Sequence, residues 1–441
     1  MTQIPIHSAP PAEYQETINK SIDDLDSQLH DINRKIHENP ELGYEEFKAH
    51  DNVVSFLRTQ GLEVTPHAFG LSTSFVCDYG KDDGPLVTFN VEYDALPGIG
   101  HACGHNLIAT GSLAAFLATV SVMKKYNLPG KARCLGTPAE EGGGGKIKLI
   151  DAGAYKDVIA TFMTHPFSTA NNVTYGTCMA SAKFRATFTG KPAHAAAAPH
   201  EGINALDAAV LAYNGTSMLR QQIKPDQRIQ GVMIEGGQRA NIITPKSVLD
   251  YNVRASTLKE TKELQERVVK CFEGAAIATG CKVEFLETNT YADLRPSRSL
   301  CLAYSEVMKS VAPEQTWPVP EKEEPGAYST DQGTISLPSL LSPLLLTFPH
   351  HTYQLTAVHT QLPGNVSHIV PSFHGLYAIP IKDNAANHTP SFTDAAGTDE
   401  AHRLTLLTSK GMAGVAVKIL TDEMFAKEVE SGFAEWLKAQ Q

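Results

Sequence analysis

Between residues 74 and 163 strand-like runs alternate with helical ones, and no other feature of the chain restricts its fold as strongly. The strand-like runs are 74–79, 86–91, 132–136 and 158–163, and between them lie an apolar helical stretch at 108–123 and a shorter one near 146–152. Alternation of this kind indicates an α/β sheet covered by helices, with functional residues expected in loops at strand ends. Two amphipathic helices are predicted ahead of it. Residues 13–37 carry Ile18, Ile22, Leu25, Leu29, Ile32 and Ile36 at helical spacing, and 47–60 forms a second helix ended by Gly61.

From about residue 180 the order of elements changes. A strand at 184–188, a helix at 203–219, strands at 228–234 and 247–255, a helix at 259–280 and a strand at 281–286 give β-α-β-β-α-β, the ferredoxin-like order. A chain of 441 residues is too long for one ordinary core, so two domains are expected. The formal net charge of −11, with no lysine or arginine cluster, excludes a surface for nucleic acid, which needs a basic patch. Apolar content is ordinary for a globular protein, and no membrane association is expected. The seven cysteines are odd in number and widely spread, and residues 1–14 are polar and proline-bearing, unlike a secretory leader. Free thiols in a reducing cytoplasm are therefore expected.

Ligand-type residues gather at the predicted strand ends. After the run 86–91, the loop from Glu92 to Asn106 holds two acids, two histidines and a cysteine. Cys103 and His105, two apart, can face one centre if that stretch is extended, and thiolate with imidazole suits a borderline-soft divalent ion. After the run ending at Gly136, Glu140 and Glu141 lie side by side before four glycines. In an extended segment neighbours point opposite ways, so one carboxylate can bind a metal while the other faces substrate. His165 follows the next strand, and His388 stands far downstream in Asn387-His388-Thr389-Pro390. Asp94, before Ala-Leu-Pro, suits an acid that orients a ligand or a base.

These motifs resemble those of the di-metal aminoacylase and carboxypeptidase family, within its amidohydrolase branch. The matching segments, in family order, are His37-Glu38-Asn39-Pro40-Glu41-Leu42, the loop from Asp94 to Asn106, Pro138-Ala139-Glu140-Glu141-Gly142, Gly190-Lys191-Pro192-Ala193-His194, Glu235-Gly236-Gly237, Asn241-Ile242-Ile243-Thr244-Pro245 and the segment around His388. Most of that branch has Cys-Gly-His-Asp. Asn106 here is similar to the β-alanyl-lysine dipeptidase and aminobenzoyl-glutamate hydrolase subgroup.

The resemblance implies a zinc-peptidase-like mixed-sheet catalytic domain in two parts, 1–179 and 293–441, with an inserted ferredoxin-like lid and dimerisation domain at 180–292. It implies two divalent metal ions, zinc first and manganese or cobalt as alternatives, held by Cys103, His105, Glu141, His165 and His388, with Cys103 bridging. Glu140 would be the general base that takes a proton from water and returns it to the leaving amine, with Asp94 in support. His194 and Asn241 would reach the active site of a neighbouring subunit in a homodimer, and Arg254 would receive a substrate carboxylate. The implied reaction is hydrolysis of an amide in an N-acyl-amino acid or dipeptide. An amide-forming enzyme using the same residues, or a catalytically impaired homologue acting as a binding module, are the alternatives.

One stretch departs from this pattern. From Gln332 to Ile381 there is no Asp, Glu, Lys or Arg, and the family pattern of Ser-Thr-Asp-Gln followed by Gly-Asn-Val-Ser is split between Ser329–Gln332 and Gly364–Ser367. Residues 333–363 therefore read as an insertion, either a translated, unspliced intron, whose composition it has, or a hydrophobic substrate flap or partner-binding loop beside the active site.

Overall fold

The computed structural model describes residues 7–168, 171–320, 330, 347–348, 351–352, 366–382 and 386–439. The insertion read at 333–363 falls outside these, apart from two short residue pairs, as does Asp331.

Helices α1 (Ala12–Glu38) and α2 (Phe47–Thr59) come first. Ile18, Ile22, Leu29, Ile32 and Ile36 line the buried face of α1, as their spacing predicts. Then follow β1 (Thr65–Pro66), β2 (Phe75–Gly80), β3 (Leu86–Val91), α3 (His105–Tyr126), β4 (Lys131–Gly136), α4 (Gly145–Asp151) and β5 (Val158–Phe167). The next block is β6 (Ala180–Thr189), α5 (Ala205–Leu219), β7 (Arg228–Glu235), β8 (Lys246–Ala255), α6 (Leu258–Thr279) and β9 (Lys282–Tyr291). The chain closes with α7 (Arg298–Val311), the paired two-residue strands β10 (Thr347–Phe348) and β11 (His351–Thr352), β12 (Ser372–Ala378), α8 (Pro390–Ala396), α9 (Asp399–Thr421) and α10 (Glu423–Ala439).

Two sheets organise these elements. The larger has six strands in the order β1-β2-β4-β3-β5-β12, parallel from β4 to β12 and antiparallel at β1 and β2. A mixed α/β sheet is thus present as expected. Its main core includes residues of α1, α3, α7 and α9. Helices α3 and α9 are long and apolar enough to cross a membrane by length and composition, yet both are largely buried among their neighbours.

The smaller sheet is fully antiparallel in the order β7-β8-β6-β9, with α5 and α6 packed together over a separate core that includes Phe184, Phe188, Tyr251 and Phe272. This is the ferredoxin-like arrangement. Thr257 caps α6 by accepting the Glu260 amide, the interaction expected of an N-terminal threonine with glutamate three residues on. β7 and β9 are its edges, and β7 exposes Val232 and Ile234. Helix α5 exposes Val210, Leu211, Tyr213 and Met218.

Candidate metal centre at the strand ends

The site begins with a backbone turn. Gly104 is left-handed (φ 82°) and caps α3, whose first residue is His105. The stretch around Cys103 and His105 is therefore not extended, contrary to the expectation from sequence. A reversal at Gly104 brings the two side chains to one side instead, and any side chain at 104 would strike Pro166, whose Cγ lies 2.5 Å from the ideal Cβ position. β5 also runs further than its apolar run suggests. His165 lies within that strand, and its Nε2 approaches the Cys103 Sγ at 3.4 Å.

Glu140 and Glu141 depart from expectation in a similar way. They sit in a turn after β4 rather than in an extended segment, so their carboxylates converge. Glu140 Oε2 and Glu141 Oε1 lie 3.8 and 4.0 Å from His105 Nε2. His388, with a left-handed backbone (φ 67°), donates its amide to Ala102 O at 2.8 Å and brings Nε2 within 3.3 Å of Glu141 Oε1. Asn387 pins the same loop to the end of β5, accepting from Ser168 N and donating to Pro166 O. Three overlapping groups of donor atoms result: Cys103 with His105 and His165, Cys103 with Glu141 and His388, and His105 with Glu140 and Glu141. Cys103 belongs to two of them.

Hydrogen bonds fix which ring nitrogens face the centre. Asp94, fully buried, accepts from His105 Nδ1 at 3.1 Å through Oδ1 and from the Glu141 amide at 2.9 Å through Oδ2. Burial would raise the Asp94 carboxyl, but His105 and the amides beside it outweigh burial and hold it below the usual range. His165 turns its Nδ1 to Pro166 O, leaving Nε2 toward Cys103. Carboxylate or carbonyl partners on the far nitrogen are the usual support for a metal-bound imidazole.

The donor set fits a divalent cation. Among the described residues His105 Nε2 is buried without a hydrogen-bond partner, yet Glu92, Glu140 and Glu141 each place a carboxylate oxygen 3.6–4.0 Å away, too far to bond and close enough to share an ion. Burial opposes charge on His105, but Asp94 reverses that effect and raises its pKa well above the ordinary histidine value. The local field thus favours positive charge at this point. Burial and the charge of Glu141 push the Cys103 thiol well up, so a cation is what would bring it to the thiolate.

Three neighbours were not anticipated. Glu92 and Lys146, almost wholly buried, form an ion pair against His105. His374 of β12 stacks on His165, with ring centroids 5.8 Å apart, and among the described residues neither of its ring nitrogens has a hydrogen-bond partner. Glu92 follows β3 two residues before Asp94, and Lys146 stands between Gly145 and Ile147 at the buried start of α4. Those were the available signals. Asn106 has a structural reason to be an amide: its Nδ2 donates to Asn33 Oδ1 and to Ala396 O, which a carboxylate could not do.

The residues expected from the smaller sheet divide into two places. His194 and Asn241 neighbour each other, with Ala195 N donating to Asn241 O and a bridge from His194 to Ile242, and both are exposed. His194 Nδ1 accepts from the amides of Ala196 and Ala197, which leaves Nε2–H as its outward donor. Among the described residues, neither makes a hydrogen bond or ion pair with the metal-type cluster. Arg254, on β8, is half-buried and lies within electrostatic reach of Cys178, as does Glu140.

Residues 179–279 match the peptidase dimerisation domain of the M20 family model. Over 425 residues the chain is 37% identical to the Xaa-Arg dipeptidase of Mus musculus, covering 93% of this chain and 90% of that one. It is 32% identical over 291 residues to one of the subunits of the p-aminobenzoyl-glutamate hydrolase of Escherichia coli, covering 61% of this chain and 60% of that one. Its fold is similar to that of a dinuclear metal-binding M20 peptidase from Bacillus subtilis, with a TM-score of 0.62 at 20% identity over 90% of this chain and 99% of that one. None of these relatives is described as an amide-forming enzyme or a non-catalytic binding protein.

Proposed function

The chain belongs to the M20 metallopeptidase family, and from that premise we propose that it is a two-metal hydrolase that cleaves the amide bond of a dipeptide or N-acyl-amino acid. Cys103, His105, Glu141, His165 and His388 hold the ions in this reading, and Glu140 is the base. The observation that carries it is His105 Nε2, buried and unpartnered among the described residues, with the Glu140 and Glu141 carboxylates before it. Zinc suits the mixed sulfur, nitrogen and oxygen donors, with manganese or cobalt as alternatives.

When bound, two such ions lower the pKa of a water and polarise the scissile carbonyl. The protein's own residues do the rest. Glu140 receives the water's proton and delivers it to the leaving amine, as a carboxylate within reach of both positions can. Asp94 keeps His105 in the tautomer that presents Nε2. His194 Nε2–H is an oxyanion donor, and Arg254 pairs with a substrate carboxylate.

We assign His194 and Asn241 to the active site of a second copy, in a homodimer formed by the smaller sheet. The exposed apolar residues of the β7 edge and of α5 support that assignment, since such an edge and face are otherwise open to solvent. A cytoplasmic setting fits the seven free cysteines, six of them buried.

The test uses the purified chain with zinc or manganese, dipeptides carrying a C-terminal arginine or lysine, N-acyl-amino acids and aminobenzoyl-glutamate. Metal-dependent amine release that Glu140→Ala abolishes is expected. Equal, metal-independent release by wild type and variant would sink the reading.

A further inference from the structure

The segment Gly43–Glu46 follows the His37–Leu42 motif and has no part in the chemistry described so far, yet it grips the loop that carries Glu140. Glu46 is wholly buried, and its Oε1 accepts the Ala139 amide at 2.8 Å. Tyr44, in a left-handed conformation (φ 67°), donates its hydroxyl to Gly143 O at 2.6 Å, and Lys148 lies over its ring. Gly43 passes so close to Ala139 that a Cβ at 43 would meet the Ala139 Cβ at 2.9 Å.

What this grip holds is a strained residue. Ala139 has φ +56°, a conformation that an L-residue rarely adopts and that persists only where surroundings impose it. The next residue is Glu140. On its other side the Glu141 amide is held by Asp94. Two buried carboxylates on different parts of the chain therefore hold the amides of the residues on either side of the base, and Tyr291 donates to the carbonyl of Glu140 itself at 3.2 Å.

We propose that Glu46 is a positioning residue for the reaction: by holding the Ala139 amide it keeps Ala139 left-handed and aims the Glu140 carboxylate at the cluster. The inference rests on the reading of Glu140 as base. A base displaced by about 1 Å can lose up to ~100-fold in rate, so a buried hydrogen bond one residue away is placed to matter. Burial, reinforced by Asp94, pushes the Glu46 carboxyl up to about 7, which makes a neutral amide a fair substitute for it. Gln at this position can still accept from Ala139. Leu cannot.

Three variants of the protein test this: Glu46→Leu, Glu46→Gln and Gly43→Ala, whose added methyl presses on the Ala139 Cβ. Glu46→Leu and Gly43→Ala are expected to retain two metal ions per chain by mass spectrometry and an unchanged KM, while kcat falls about 10- to 100-fold. Glu46→Gln is expected to recover kcat to within about threefold of wild type. Hydrogen exchange of peptides spanning residues 137–145 reads the positioning without any assay of activity. Those amides are expected to lose protection in Glu46→Leu and regain it in Glu46→Gln. The inference is overturned if Glu46→Leu keeps wild-type kcat, if Gln fails as badly as Leu, or if exchange in 137–145 does not change. A wild type that cleaves no amide would instead strike the hydrolase reading, and the exchange result would still decide whether Glu46 holds the loop.

Discussion

The cluster at the end of the larger sheet and the His194–Asn241 pair of the smaller one are built in opposite ways. In the cluster, His105 is buried, its tautomer is set by Asp94, and its neighbours arrive from β5, from the turn after β4 and from the loop before α8. His194 and Asn241 are exposed, and among the described residues their bonds stay within and between the two loops that carry them. The first is assembled by one chain. The second offers, among the described residues, a donor without an acceptor, which the proposed role in a second copy's site would use.

The sharpest way to break this contrast is at its centre. Glu140→Ala is expected to lower kcat by about 10²- to 10⁴-fold while metal content holds, measured by single-turnover amine release beside metal analysis. His194→Ala is expected to cost about 10²- to 10³-fold, the usual loss for an oxyanion donor. Mixing that variant with Glu140→Ala sharpens the comparison further. If His194 acts across a dimer, subunit exchange between the two dead proteins restores activity at the sites that have Glu140 in one chain and His194 in the other. A mixture that stays inactive after exchange would place both residues in one chain's site.

Asp94→Asn is expected to weaken metal retention or activity about 10- to 100-fold, read by competition with a chelator, because an amide has no charge and one acceptor where the carboxylate serves both His105 and the Glu141 amide. Thr257→Ala should do least. It removes the cap of α6, costs about 1 kcal/mol of stability in a melting experiment, and leaves turnover of the folded protein unchanged.

Much of the fold was legible because its signals are local. The alternation from residue 74 onward and the ferredoxin-like order after 180 both depend on apolar period, and period is written in consecutive residues. The site was legible as a set of residue types but not as a geometry. Gly104 supplied the convergence of Cys103 and His105 through a backbone reversal that an extended reading misses. β5 continues through His165 because pairing with β12, some two hundred residues later, extends it beyond its apolar run. Glu46 and Lys146 escaped notice because each stands near other charges in sequence and its role depends on a remote partner, Ala139 and Glu92.

The tether between His388 N and Ala102 O also sets an order of events during synthesis. Cys103, His105, Glu141 and His165 leave the ribosome early, then the whole of the smaller sheet follows, and only then do β12 and His388 appear. If the five proposed residues are the ligands, a nascent or truncated chain ending before residue 388 holds four of them and lacks the member that completes the group with Cys103 and Glu141. On the reading of these residues as metal ligands, tight metal capture would be deferred until the smaller sheet and β12 already exist, with only α8, α9 and α10 still to come.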